Sequence, residues 1–319
     1  MNWSALIGIG LFTSGMQLAM PTALAAVGEA FSERAGVLNL GLEGMMLGAA
    51  LSAFVGEYFT GSPAIGVLAG IVIGVLLAAV KAFLSVSLKT DQVINGIVLV
   101  IFAQGTTAFA YERIFGRLKT SPQVPPLHTI RIPGLASIPG LGPVLFQQNA
   151  LFYISLLTVV GVWLLLFRTK FGLTGRAVGE SPIAADSVGI SVARTRWLAL
   201  LVCGAMAGFG GAVLIVGDIN LFGLNVTAGR GWVAIALVIF GRWNPLIVFG
   251  GALLFGLTDA LQLRIQAVSG GTHAVVPYEL FQALPYLLTL AVMVAATVAS
   301  KRSAQPSALG VPFRKGVTA

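Results

Sequence analysis

From Phe31 to Leu47 the chain reads FSERAGVLNLGLEGMML. Glu33, Arg34 and Glu43 stand here with Asn39 and three glycines, between the apolar runs ALIGIGLFTSGMQLAMPTALAAVGEA (residues 5–30) and GAALSAFVGEYF (residues 48–59). A polar break between two such runs reads as two membrane helices joined by a turn, with Glu33 and Arg34 marking the break. Asn39 and Glu43 then follow on the second helix. Four positions apart, they share one face of it.

The rest of the chain has the composition this stretch implies. Of 319 residues, 57% are hydrophobic and 9% charged, with a mean hydropathy of +0.93. A soluble domain carries about 25% charged residues. Several apolar runs reach roughly 20 residues, the length that crosses a bilayer as a helix, and the alternating strands of a membrane barrel are not seen. The fold class is therefore all-α, a polytopic membrane helical bundle with about 8–10 transmembrane or re-entrant helices. Helices are expected over residues 3–30, 37–59, 64–87, 93–111, 150–167, 197–217, 231–241, 246–265 and 280–299. The run 231–241 is about 16 Å long at 1.5 Å per residue, too short to span, and reads as a half-helix. Such elements are tolerated where protein or a water-filled cavity satisfies their ends. The small-residue stretch PTALAAV near the N-terminus imitates a secretory cleavage site. It lacks the basic start of a signal and is read as part of the first membrane helix.

The net charge of +8 comes from basic residues at the ends of apolar runs. That placement fits cytoplasmic membrane loops and not a nucleic-acid stripe. Lys81 and Lys89 fall in one expected loop. Arg168, Lys170, Arg176, Arg194 and Arg196 flank another, and Lys301, Arg302, Arg314 and Lys315 make a tail. Putting these regions inside places the C-terminus in the cytoplasm and the N-terminus outside. The expected organisation is a transmembrane domain over residues 1–300 and a cytoplasmic basic tail over 301–319. Within the domain, residues 119–149 form an outer loop holding six of the fourteen prolines, and residues 168–196 form a cytoplasmic loop. The proline-rich loop is expected to lie ordered on the bundle, with His128 solvated. In the cytoplasmic loop, Ser181 and Pro182 before IAADSVGI predict a short helix with a serine N-cap and proline in its first turn. It reads either as a docking helix or as an ordinary interfacial turn.

Ionisable and amide groups inside spans are costly and mark candidate sites. Glu43 and Asn39 are the clearest, and Gln17, Asn95, Gln104, Asp259 and Gln262 follow. Gly66 with Gly70 and Gly204 with Gly208 have the spacing of close helix contacts. Cys203 stands alone, so no internal disulfide or cysteine metal site is expected. The sequence has no GxxxxGK[ST] phosphate loop, no HExxH and no GxSxG elbow. No catalytic residues, cofactor site or metal site are assigned, and energy from ATP would require a second polypeptide. A weak echo links ALAAVGEAFSERAGVLNLGLEGMMLGAAL with AIALVIFGRWNPLIVFGGALLFGLTDAL, each a helix, a polar break and a glycine-rich helix.

FSERAGVLNLGLEGMML, GESPIAADSVGI (residues 179–190) and GRGWVAIALVIFGRWNPL (residues 229–246), with the outer IPGLASIPGLGPVLF, resemble the permeases of bacterial ABC importers for nucleosides and simple sugars. These belong to the wider group of ribose and branched-chain amino acid permeases. The resemblance covers essentially the whole chain. It implies a permease subunit in the bacterial cytoplasmic (inner) membrane, surrounded by lipid, with a second homologous permease. It also implies an ATP-binding protein with tandem fused domains, which carries the ATP and magnesium, and a substrate-delivering lipoprotein outside. No nucleic-acid partner is implied. The segment from Ser181 to Ile190 would be the coupling helix, with Ser181, Pro182, Ala184, Ala185, Asp186 and Gly189 meeting the ATPase and Ala185 on the docking surface. A nucleoside pathway would use amides and apolar rings, for which Asn39, Glu43, Asn95, Gln104, Phe102 and Trp232 are the candidates, with Phe109 beside them. The alternatives are an importer of ribose-like sugars and an ion-coupled secondary transporter centred on Glu43 or Asp259.

Overall fold

The computed structural model describes residues 8–116, 122–268 and 304–314, together with residues 283, 286, 287, 290, 291 and 294. Apart from those single positions the helix expected over 280–299 lies outside the described residues, as do Lys119, His273, Lys301, Arg302 and Lys315.

Helix α1 (Ile9–Arg34) is enclosed on nearly every side from Ala19 to Glu33. That is the pattern of a central helix, not of an amphipathic surface one. It packs against the helices Pro245–Val268, Val192–Ala212, Arg230–Phe240 and Ala150–Arg168. The break at Arg34 is real, but the second helix starts later than the hydropathy suggests. α2 runs Leu42–Thr60, so Asn39 is not on it and does not share a helical face with Glu43. The reason is local: the Asn39 Oδ1 accepts from Gly41 N at 3.1 Å, an Asx-type turn that competes with helix.

α3 (Pro63–Ala82) begins with proline in its first turn and continues into a π-helical turn, Phe83–Ser87. α4 (Gln92–Phe115) is N-capped by Asp91, which accepts from Val93 N and Ile94 N at 2.8 and 2.9 Å. The proline-rich segment is ordered: β1 (Thr129–Arg131) pairs antiparallel with β2 (Gln147–Asn149), and the short α5 (Leu141–Leu145) lies between them. It is tied to the bundle where Val124 N donates to Asn220 O at 2.9 Å. α6 (Ala150–Arg168) then leads into α7 (Lys170–Glu180), α8 (Pro182–Ser187) and α9 (Val192–Ala212), the last prolonged by a π-helical turn, Val213–Ile219. α7 was not expected from the sequence. α10 (Arg230–Phe240) is the half-helix, and α11 (Pro245–Val268) follows it.

Six helices among the described residues are long and apolar enough to cross a membrane. α2 is not one of them, because Glu43 and Glu57 lower its hydropathy. It is instead shielded by α3, α9, α4 and α10. α3 shows how the bundle is built. Gly66, Gly70, Gly74 and Ala78 face inward while Leu68, Val72, Leu76 and Val80 are exposed. Small residues meet protein and branched ones face the surroundings, as expected where close packing and not water exclusion joins helices. At the crossing of α3 and α9 a Cβ on Gly74 would lie 2.6 Å from the Gly208 Cα, with backbone on both sides. Lys81, read above as a loop residue, is wholly buried within α3.

Candidate functional site

The stretch from Phe31 to Leu47 grips α10 at both ends. At the N-terminus of α10, the Glu43 Oε1 accepts from Thr227 Oγ1 at 2.6 Å and from Gly229 N at 3.0 Å, and its Oε2 accepts from Gly231 N at 2.7 Å. A helix leaves its first N–H groups unpaired and carries partial positive charge there, so a carboxylate is the natural partner. Gly231 permits the approach: a Cβ at that position would meet the Glu43 backbone. At the C-terminus, Arg34 Nε donates to Trp243 O at 3.1 Å and Nη2 to Arg242 O at 3.4 Å. These carbonyls belong to the turn just after the helix, so the guanidinium stands near the negative end of its dipole. Trp243 Nε1 donates to the Glu33 carboxylate. Arg242 and Trp243 both have left-handed backbone, with φ of 51° and 57°. That conformation costs on the order of 1–3 kcal/mol for such residues and persists when the surroundings fix it. Here Glu33 and Arg34 fix it.

Two further polar groups lie in the bundle. Arg230 Nη2 bridges Asp259 Oδ2 at 2.6 Å, Arg230 Nη1 donates to Thr227 O at 3.5 Å, and Tyr286 OH donates to Ala228 O. This brings Asp259, on α11, to the start of α10. Lower in the bundle, Glu29 accepts from Asn39 N at 2.8 Å and from Cys203 Sγ at 3.2 Å, while Asn39 Nδ2 lies 3.4 Å from both Met45 Sδ and Cys203 Sγ. Cys203 is thus a hydrogen-bonding residue as well as a small one. Lys81 donates to Gln92 O and to Asn95 Oδ1, Asn95 Nδ2 reaches Ser85 Oγ and Thr90 Oγ1 at 3.0 Å each, and Gln92 Oε1 accepts from Leu38 N at 2.8 Å.

The expected pathway residues therefore separate. Asn39, Glu43 and Asn95 are buried and engaged with the chain itself. Phe102, Gln104 and Phe109 lie exposed on α4, and Trp232 is exposed on α10. Gln262 is buried and Gln17 half-buried. Sequence reasoning passed over Glu29, Lys81, Thr227, Arg230 and Trp243. A signal existed for Glu29, which stands in an apolar run four positions before Glu33 and is as anomalous there as Glu43. None existed for Thr227, whose role depends on a partner 184 positions away.

The expected short helix is α8, with Pro182 first and Ser181 as N-cap, its Oγ accepting from Ala184 N at 3.3 Å. Gly189, at φ 85°, ends the motif. Ala184, Ile183 and Val188 are exposed and Asp186 is half-buried. Ala185 is 4% exposed and packs on Val178 and Val192. It faces the protein, whereas Ile183, Ala184 and Val188 face outward.

The described residues thus form a bundle of membrane-length helices with a short helix, α10, strapped among them. The family model for the branched-chain amino acid transport system permease component matches residues 11–297, and the chain belongs to that family. It is 41% identical over 318 residues to the "Putative glucose ABC transporter permease protein TsgC13" of Haloferax volcanii, covering 94% of this chain and 96% of that one. It is 34% identical over 307 residues to the guanosine ABC transporter permease protein NupQ of Bacillus subtilis (93% and 94% covered). It is 34% identical over 282 residues to the nucleoside ABC transporter permease protein NupC of Lactococcus lactis (86% and 87% covered). The chain is thus a multi-pass membrane permease of an ABC importer, and membership implies an ATP-binding protein and a substrate-binding partner. The ion-coupled alternative gives way to this membership.

Proposed function

We propose that this permease imports nucleosides. The observation that carries the reading is full-length similarity to two relatives named for guanosine and nucleosides. Glucose or a related sugar is the second reading, favoured by the 41% identical relative. In the proposed assembly a second homologous permease pairs with this chain, and tandem ATP-binding domains hold ATP and magnesium below. A lipoprotein delivers substrate from outside, and this chain binds no cofactor itself. The membrane is the cytoplasmic one, with residues 168–196 and the C-terminal segment facing inward and the N-terminus outside.

The substrate surface is assigned to the exposed side chains Phe102, Gln104 and Trp232, since apolar rings and an amide suit a neutral nucleoside. Asn39, Glu43 and Asn95 act from behind it, holding the loop, half-helix and α4 that carry that surface. α8 meets the ATPase through Ser181, Pro182, Ile183, Ala184 and Val188, with Asp186 at the edge, Gly189 as the turn and Ala185 as the internal anchor. ATP-driven closure of the motor would shift the permease pair between outward- and inward-facing states, a rigid-body switch biased by ligand.

The test is uptake in vesicles containing the permease pair, the ATPase and the delivering lipoprotein, with labelled guanosine, uridine, ribose and glucose. ATP-dependent accumulation of the nucleosides, competed by other nucleosides and not by glucose, is the expected result. Saturable uptake of glucose alone would replace the nucleoside reading, and uptake indifferent to ATP would overturn both.

A further inference from the structure

Residues 304–314 are fastened to three separate elements of the bundle. Ala308 N donates to Gly179 O at 2.9 Å and Ser307 Oγ donates to Glu180 Oε2 at 3.1 Å, which ties the segment to the end of α7, just before the N-cap of α8. Arg196, 3% exposed, donates from Nη1 to Val311 O at 2.8 Å and from Nη2 to Ala308 O at 3.4 Å, which ties it to α9. Gly310 N donates to Gly36 O at 3.3 Å, which ties it to the turn between α1 and α2. Phe313 packs with Val178, Ala185, Ile190 and Val192, on the inner side of α8. Gly310 takes φ 78°, the left-handed geometry that lets the segment turn between these attachments.

The arrangement is a clip. Gly179 and Gly36 approach closely: a Cβ placed on Gly36 would lie 3.4 Å from the Gly179 Cα. Ala308 bonds to one of them and Gly310, two residues on, to the other. The turn that begins at Gly36 is the same stretch whose Arg34 and Glu33 hold the C-terminal end of α10 and whose Glu43 holds its start. α8 has six residues, and Ala185 is its buried one. Phe313 packs against the apolar cluster that includes that anchor.

We propose that residues 305–313 are a positioning strut that makes α7–α8 and the α1–α2 turn move as one body, so that displacement of α8 reaches the half-helix. This rests on the reading of α8 as the ATPase-facing helix. Its function in this proposal is to convert hydrolysis into transport.

The experiment compares Phe313→Ala, Phe313→Leu and Val188→Asp in the reconstituted importer. It measures co-purification of the ATPase, ATP hydrolysis per complex, and guanosine or glucose accumulated per ATP hydrolysed. For Phe313→Ala the ATPase stays bound and hydrolysis persists, while uptake per ATP falls about fivefold or more, the scale of a typical coupling between sites. Phe313→Leu recovers most of the ratio. For Val188→Asp the ATPase is lost from the complex. An unchanged ratio in Phe313→Ala, with docking lost in Val188→Asp, overturns the strut alone. A Phe313→Ala chain that fails to assemble, so that hydrolysis and uptake vanish together, also overturns it, since the segment would then be a brace. ATPase retention in Val188→Asp overturns the docking reading and the strut with it.

Discussion

Glu43 accepts three hydrogen bonds from a loop and helix start almost two hundred positions later, and all three donors belong to backbone or hydroxyl groups at the N-terminus of α10. Glu43→Gln turns one acceptor into a donor that faces a backbone N–H, leaving that group unpaired in a buried place. The expected loss is about 1–3 kcal/mol of stability, the range for burying an unsatisfied polar group, read as a lowered unfolding midpoint of the purified permease in detergent. Thr227→Val removes a single hydroxyl donor and should cost about 1 kcal/mol or less, as membrane hydrogen bonds do on average. An equal effect of the two would mean that the carboxylate is not what holds the helix. The sequence marked Glu43 as anomalous because charge in an apolar run is expensive. It could not say whether substrate or protein supplies the compensation, and the structure shows protein supplying it on both oxygens.

Among the elements, glycine spacing was the most legible feature. The crossing of α3 and α9 is built from Gly70, Gly74, Gly204 and Gly208, where backbone meets backbone. Gly74→Val should separate the helices or force strain costing about 1–3 kcal/mol, visible as reduced folded yield and a lower melting temperature. Leu76→Val, two positions along on the exposed face, should leave both unchanged. The half-helix was also legible, because 11 apolar residues cannot cross a bilayer. The start of α2 was not: hydropathy continues through Val37 and Leu38, while an asparagine turn and the Glu29 carboxylate hold that backbone out of helix. α7 was missed for a related reason. Its glycines and basic residues dilute the apolar signal, and tertiary contacts with α6, α9 and α1 support it.

Across the whole molecule, the short α8 turns one side to the protein and leaves another exposed. Ala185 and Val188 mark the two sides, at 4% and 73% exposure. Ala185→Asp is expected to destabilise the packing around α8, since it buries a carboxylate in the cluster of Val178, Val192 and Phe313. Val188→Asp should leave folding intact and weaken ATPase association by about tenfold or more, a change of about 1.4 kcal/mol. Thermal unfolding of the permease alone and pull-down of the ATPase distinguish the two. If Ala185→Asp folded normally, the inward orientation of that residue would be wrong.

The membrane class, the helical spans, the break at Glu33 and Arg34, the half-helix and the capped α8 follow from the sequence itself, because hydropathy, helix length and capping are local and periodic properties. The family motifs are likewise contiguous. The tertiary structure alone decided what the polar residues do: Glu43, Arg34 and Glu33 secure one half-helix, Lys81 belongs to a buried network with Asn95, and residues 304–314 join α7 and α9 to the α1–α2 turn. A hydrogen bond across 188 positions leaves no trace in periodicity, which reports the face on which a residue lies and not what that face meets.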